Sequence, residues 1–114
     1  GDEPMTAEDT LRVIHDWYGM RGDWTRVTEL AGPEYIRHEP AGKRTVTGEQ
    51  VREELNARGY TIQWEYNAFA EGDIAFVTWV ARDTPQAGLT IYASRDGVIA
   101  ERWQAPLPGR TSWL

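Results

Sequence analysis

Three side chains are the candidates for moving or holding a proton in a reaction: His38, Glu101 and Tyr92. A histidine gives or takes a proton near neutral pH, because its unperturbed pKa is about 6.5. A glutamic acid enclosed by apolar side chains has a raised pKa and can act as a general acid or base. A tyrosine hydroxyl can donate a hydrogen bond to a developing oxyanion. Structural roles are also open, since His38 could cap a turn and Glu101 could simply bond to Tyr92.

The hairpin around Asp96 and Gly97 decides whether these groups meet. Asp-Gly between two alternating runs, 89–95 and 98–104, predicts a two-residue turn that pairs Arg95 with Val98. Counting outward from that pair places six side chains of mixed character on one face: Thr90, Tyr92, Ser94, Ile99, Glu101 and Trp103. The opposite face is largely aliphatic and holds Leu89, Ile91, Ala93, Val98, Ala100 and Arg102.

The mixed face has two interpretations. It could line a ligand cavity, because such cavities combine aromatic walls with a few polar groups. It could equally face water, with the aliphatic face forming the core. The pattern does not choose between them: helices must cover one face, and a dimer partner could cover the other.

Helices are predicted before this sheet. Thr6 and the acids that follow can cap a first helix that ends near Tyr18. A second helix is expected from 24 to about 31, and a further turn from 33 to 35. His38 would lie where that turn ends, because Pro40 makes the preceding residue extended. The range 41–46 is expected to be a polar loop, and Thr47 to Gln50 is a capping box for a third helix to about 57, on the rim of the fold.

The remaining chain predicts strands that the helices would roof, with a cavity between the two layers. The range 61–69 alternates, with Ile62, Trp64, Tyr66 and Ala68 on one face. The range 74–81 is apolar on both faces, as a central strand is. Trp64, Tyr66 and Trp103 would shape a slot for a flat apolar ligand, although such residues are more often core.

Composition limits the classes of function. The 114 residues fit one domain, 1–114, in which 1–5 is a tag remnant or frayed terminus and 105–114 an irregular tail. A net charge of -6 without a basic run argues against nucleic acid and anionic membranes. There are no cysteines, no apolar run long enough to cross a bilayer and no visible signal peptide, so a cytoplasmic protein is expected. The two distant histidines make a poor metal site, and no glycine-rich phosphate loop occurs, so no cofactor is expected.

Several motifs in order resemble a known family. They are WYGMRGDW, PEYIRHEP, TGEQVREEL, EGDIAFVTW and SRDGVIAERW. Together they resemble the SnoaL-like polyketide cyclases of the nuclear-transport-factor-2-like superfamily, over roughly residues 10 to 104. The resemblance implies an α+β barrel, in which a cone-shaped, curved mixed or antiparallel sheet is covered by three N-terminal helices. It also implies a homodimer formed through the sheet.

The resemblance further implies which residues form the site. It favours the mixed hairpin face as the inner one, with His38, Glu101 and Tyr92 catalytic. It places Tyr18, Tyr35, Trp64, Tyr66, Thr90 and Trp103 around a small hydrophobic, polyketide-like substrate. The expected activity is a cofactor-free cyclase or isomerase of bacterial secondary metabolism, such as antibiotic biosynthesis, working by acid-base and shape-templated catalysis.

The sequence departs from the family at two places where members carry acids. Thr90 is found where many members have an aspartate. In the final Glu-His-Trp-Asp motif, Arg102 replaces the histidine and Gln104 replaces the aspartate. These changes disfavour an ordinary aldol cyclase. Two alternatives therefore stay open: an epoxide-opening hydrolase or cyclase on the same fold, and a non-catalytic dimerising module that binds a small molecule.

Overall fold

The computed structural model describes residues 5–20, 24–58, 64–81 and 86–107. The helices are α1 (Ala7–Tyr18), α2 (a 3-10 turn Trp24–Arg26 continued by Val27–Leu30) and α3 (Gly48–Arg58). The strands are β1 (Ala31–Glu39), β2 (Gly42–Val46), β3 (Trp64–Glu71), β4 (Ile74–Ala81), β5 (Gln86–Arg95) and β6 (Val98–Pro106). The predicted fold class is confirmed: three helices cover a curved, mixed, six-stranded sheet.

The sheet has the strand order β2-β1-β6-β5-β4-β3. All neighbouring strands are antiparallel except β1 and β6, which run parallel. The core lies between the helices and one face of this sheet, here called the inner face. Its fully buried side chains include Ile14 of α1, Val27 of α2, Val77 of β4 and Ile99 of β6. The other face of the sheet is called the outer face.

Both predicted helix caps are present. The Thr6 hydroxyl accepts a hydrogen bond from the Asp9 N–H at 3.1 Å at the start of α1. At the start of α3 the Thr47 hydroxyl accepts from the Gln50 N–H at 3.1 Å, and the Gln50 side chain accepts from the Thr47 N–H at 2.8 Å. Reciprocal bonds of this kind define a capping box. None of the helices in the described ranges is long and apolar enough to cross a bilayer.

Two local predictions before α3 are wrong. The predicted helical turn at 33–35 lies inside the strand β1 (Ala31–Glu39), and the predicted loop at 41–46 contains the strand β2 (Gly42–Val46). A proline is tolerated inside β1 because Pro33 lies where the pairing with β6 is interrupted, between Ala31 and Ile36. The consequence is that β1 alternates: Tyr35 and Arg37 are buried on the inner face, and His38 points outward.

Strand ends differ from the prediction in smaller ways. β5 begins at Gln86 instead of 89, and β6 continues to Pro106, so the first residues of the expected irregular tail belong to a strand. Predictions for 1–4, 61–63 and 108–114 lie outside the described residues.

The hairpin register is the most consequential correction. The turn at Asp96 and Gly97 forms as predicted, with positive φ at both positions. The pairs Arg95–Val98 and Ser94–Ile99 also match the prediction, but the next pair is Ala93–Glu101. Ala100 is therefore an extra residue on β6, which makes a β-bulge. Beyond the bulge every side chain of β6 lies on the face opposite to the predicted one.

Candidate functional site

A cavity of about 150 Å³ lies between the helices and the inner face of the sheet. A cavity of this volume holds about one benzene ring. All three helices and four strands contribute to its lining among the described residues: Trp17, Tyr18, Met20, Trp24, Tyr35, Arg37, Val51, Glu54, Leu55, Trp79, Thr90, Tyr92, Arg102 and Gln104. Val51 and Leu55, the narrow apolar stripe of α3, reach the cavity, while the other side of the helix is exposed, as predicted for a helix on the rim.

Two phenols meet inside the cavity. Tyr18 at the end of α1 and Tyr92 of β5 are both buried, and their hydroxyl oxygens are 2.8 Å apart, so one donates a hydrogen bond to the other. Burial raises the pKa of Tyr18 and of Tyr92 above the ordinary value, although the hydrogen bond from Tyr18 and the charge of Arg102 oppose the rise at Tyr92. Both phenols therefore keep their protons at neutral pH and remain hydrogen-bond donors.

A second hydrogen bond fixes the neighbouring wall. The Trp79 indole N–H donates to the Thr90 hydroxyl at 2.8 Å, and both side chains are buried. Gly88 lies opposite Trp79 on β5 and leaves room for the indole, because a Cβ at this position would lie 2.3 Å from Trp79 Cζ2. The aromatic wall is therefore held in one position before any ligand arrives.

The mouth of the cavity carries an ionic network around Arg37. Its Nη1 donates to Glu54 Oε2 at 2.6 Å, and its Nε donates to Glu39 Oε1 at 3.1 Å. Arg44 also donates to Glu54, at 3.1 Å. Burial alone would raise the pKa of Glu54, but the hydrogen bond and charge of Arg37, and then of Arg44, outweigh it and lower the pKa. Glu54 is therefore ionised at neutral pH.

Arg102 lies beside Arg37 on the paired strand β6 and faces the same cavity. Arg102 Nη2 is 3.6 Å from Glu39 Oε1, which is longer than a hydrogen bond. Burial raises the pKa of Tyr35, and the nearby charge of Arg102 opposes that rise. Tyr35 Oη and Arg102 Nε are both buried. Neither atom has a partner with full hydrogen-bonding geometry among the described residues.

His38 and Glu101 do come together, but on the outer face. His38 Nε2 is hydrogen-bonded to Glu101 Oε2, and the His38 ring stacks on Trp103 with centroids 4.8 Å apart. The Glu101 side chain is 26% exposed and the Trp103 residue 37% exposed. The prediction that these three side chains face the enclosed cavity is wrong, because the bulge at Ala100 turns Glu101 and Trp103 outward and the alternation of β1 turns His38 outward.

The other predicted site residues divide into two groups. Tyr18, Tyr35, Thr90 and Tyr92 line the cavity. Tyr66 lies behind it: its ring stacks on Tyr18 at 4.6 Å, and its hydroxyl is hydrogen-bonded to His15 Nδ1 at 2.6 Å. The side chain of Trp64 lies outside the described part of the structure.

Sequence reasoning missed the charged side of the cavity, formed by Arg37, Glu54 and Arg102. Reading 35–39 as a strand would have put Arg37 on the same face as Tyr35, because alternate residues share a face. No comparable local signal marks the bulge, since Val98, Ile99 and Ala100 are all small apolar residues that fit either register. Within the described ranges, no three acidic or histidine side chains gather as they would around a metal ion.

Comparison with known proteins supports the architecture. No protein-family model and no curated protein matches the sequence. Among solved structures, an NTF2-like protein of unknown function from Mesorhizobium loti is 18% identical with a TM-score of 0.74, covering 89% of this chain and 93% of that one. The comparison also finds proteins whose descriptions name an activity, among them an "LEH-like epoxide hydrolase" from M. tuberculosis that is 14% identical with a TM-score of 0.66, covering 89% of this chain and 84% of that one. A "putative polyketide cyclase" from Acidithiobacillus ferrooxidans is 14% identical with a TM-score of 0.72, covering 88% of this chain and 89% of that one. A "putative ketosteroid isomerase" from Kribbella flavida is 12% identical with a TM-score of 0.69, covering 91% and 82% respectively.

These similarities define the fold class. The chain has a nuclear-transport-factor-2-like (NTF2-like) fold, which solved structures show in proteins described as enzymes and in proteins of unknown function. At these identities the similarity carries the fold and not the reaction.

Proposed function

We propose that the protein is a cofactor-free cyclase or isomerase that acts on a small, hydrophobic, polyketide-like substrate in the inner cavity. The observation that supports this most is the buried Tyr18–Tyr92 pair, with 2.8 Å between the hydroxyl oxygens, beside a slot walled by tryptophans. Polyketide-like substrates carry carbonyl groups, and a reaction next to a carbonyl develops negative charge on its oxygen. Fixed phenol donors in a cavity that excludes water stabilise that charge without reorganising.

The proton needs an acceptor, and Glu54 is the one carboxylate that lines the cavity among the described residues. In the proposed step the C–H bond next to the carbonyl breaks, its proton moves to Glu54, and the enolate oxygen accepts a hydrogen bond from Tyr92, whose hydroxyl accepts the hydrogen bond from Tyr18 and keeps its own proton free. In an isomerisation Glu54 returns the proton to another carbon of the conjugated enolate. In a cyclisation the enolate carbon forms a bond to a second carbonyl carbon, and the alkoxide that results takes the proton from Glu54. Because the low pKa of Glu54 makes it a weak base, shape and oxyanion stabilisation must supply more of the rate.

The epoxide-opening alternative has less support. It needs an acid and a base around a water molecule, and Glu101, its expected carboxylate, lies on the outer face.

The non-catalytic binding module is supported by the same cavity and differs from the enzyme only in the absence of turnover. The SnoaL-like family assignment, a role in secondary metabolism such as antibiotic biosynthesis, and a cytoplasmic location remain parts of the proposal.

The experiment measures enolisation directly. Acetophenone, a one-ring ketone, is incubated with the protein in D₂O, and deuterium exchange at its methyl group is followed by NMR. We expect exchange above the buffer rate for the wild type, and a loss of about 10²-fold for Tyr92→Phe, which removes one oxyanion donor with little change in shape.

Glu101→Gln is the control variant. It changes a side chain on the outer face and should leave the exchange rate of acetophenone unchanged. A variant Tyr92→Phe as active as the wild type would contradict the proposed role of the phenol pair. If acetophenone binds but wild-type exchange stays at the buffer rate, the binding module becomes the better account.

A further inference from the structure

Two arginines are direct cross-strand neighbours on the inner face of the sheet. Arg37 of β1 pairs in register with Arg102 of β6, and both line the cavity. Like charges placed opposite each other in a sheet destabilise it unless acceptors lie between them. The distribution of acceptors around this pair therefore shows which of the two arginines is left without a full set of partners.

The acceptors are shared unequally. Arg37 is bonded to Glu54 at 2.6 Å and to Glu39 at 2.9 Å, and its side chain is 10% exposed. Among the described residues Arg102 approaches Glu39 at 3.6 Å and lies close enough to the Tyr35 hydroxyl to affect its pKa, but the buried Nε of Arg102 has no partner with hydrogen-bonding geometry. In this network Arg37, Arg44 and Arg102 carry three positive charges and Glu39 and Glu54 carry two negative ones. One positive charge is left over in a chain whose net charge is -6.

A second unpartnered donor lies in the same part of the cavity. Tyr35 is 1% exposed, and its hydroxyl has no hydrogen-bond partner among the described residues. A buried polar group without a partner costs free energy, and native structures rarely leave one without a reason. A guanidinium whose Nε lacks a partner and a phenol whose hydroxyl lacks one lie in the same cavity. Both donors are suited to the oxygens of a single carboxylate, which accepts charge-assisted hydrogen bonds.

We propose that Arg102 and Tyr35 form a carboxylate-binding subsite, so that the natural ligand is a planar acid of about one ring. The ring would lie against Trp79 and Trp17, and its carboxylate would neutralise the charge left over on the inner face. This inference rests on the proposed function only for the location of the ligand. What it adds is that the ligand carries a negative charge.

The experiment compares benzoate with benzamide, which has nearly the same shape and no charge. Binding is measured by calorimetry and by the fluorescence of the tryptophans that line the cavity. We expect the wild type to bind benzoate at least about tenfold more tightly than benzamide, as expected for a charge-assisted hydrogen bond. Equal affinities would overturn the proposal, and so would a failure of both rings to bind at millimolar concentration.

Variants locate the subsite. In Arg102→Gln the preference for benzoate should disappear while benzamide affinity is unchanged, and Arg102→Lys should restore part of the preference. Tyr35→Phe should reduce it by a smaller factor. Arg95→Gln removes the same charge at the exposed hairpin end and should keep the full preference. If Arg102→Gln is folded by circular dichroism and still prefers benzoate as the wild type does, Arg102 does not bind the carboxylate.

The two proposals can fail separately. If the wild type shows no preference for benzoate but exchanges acetophenone deuterium, the carboxylate subsite is overturned and the proposed enzymatic function stands. A preserved preference without any exchange leaves a binding protein for small acids.

Discussion

Glu101 and Arg102 are neighbours in the sequence but lie on opposite faces of the sheet, so only one of them can touch a ligand in the cavity. The structure places Arg102 inside, where the 3.6 Å approach to Glu39 offsets only part of the cost of burying a guanidinium. Glu101 lies outside, where it is partly solvated and bonded to His38.

The three buried phenols predict how stability depends on alkaline pH. Burial raises the pKa of Tyr18, Tyr35 and Tyr92, so the unfolded chain loses these protons near pH 10 while the folded protein keeps them. The unfolded state then binds fewer protons, and the free energy of unfolding falls as pH rises above about 10, by up to about 1.4 kcal/mol per pH unit for each tyrosine. Lys43 is the one lysine in the sequence, so few other groups titrate there.

Urea unfolding at pH 8, 9.5 and 10.5 measures this slope. Tyr35→Phe removes one of the three groups and should make the decrease shallower. A free energy of unfolding that stays constant or rises over this range would show that the phenols are not held protonated in the folded protein.

At the scale of elements, local rules predicted what local interactions decide. Helix caps, the Asp96–Gly97 turn and the alternation of β3 depend on residues close in sequence, and each is confirmed within the described residues. The strand β4 also forms, but the prediction that both of its faces are covered is not met in the single chain, because Phe76 is 42% exposed. The strand β1 and the bulge at Ala100 depend on pairing with distant strands. Two prolines, Pro33 and Pro40, favour a turn locally, and only the pairing with β2 and β6 makes the segment between them a strand.

The outer face of the sheet predicts self-association. Five side chains form one cross-strand row on this face, namely Phe69, Phe76, Ile91, Trp103 and His38. Phe69 is 66% exposed and Phe76 42% exposed. We propose, as the family resemblance implies, that a second copy of the chain covers this row, because burial of such rings removes apolar surface from water.

Sedimentation velocity checks this proposal. We expect a dimer at micromolar concentration and a shift toward monomer of at least about tenfold in dissociation constant for Phe76→Lys, since a buried lysine without a partner is costly. Asn56→Lys adds the same charge on the exposed side of α3 and should leave the dimer intact. A wild type that sediments as a monomer at high concentration rules out this interface.

At the scale of the whole molecule, a chain of net charge -6 encloses a cavity whose ionic network has an excess of one positive charge. The helices supply Trp17, Tyr18, Trp24 and Glu54, and the sheet supplies the arginines and Tyr92. Aromatic composition and helix patterns were enough to predict the layers and the cavity between them. The polar groups that enter that cavity could not be predicted from the sequence. The extra residue in β6, Ala100, exchanges the side chains that point inward with those that point outward.

The location of the ligand is therefore the central claim, and the tryptophan indole N–H resonances test it directly. In a ¹⁵N spectrum each indole gives one signal, which single Trp→Phe variants assign. On addition of acetophenone, we predict shifts for Trp17, Trp24 and Trp79, which line the cavity, and none for Trp103 on the outer face. Shifts confined to Trp103 would place the ligand beside His38 and Glu101 and contradict the account.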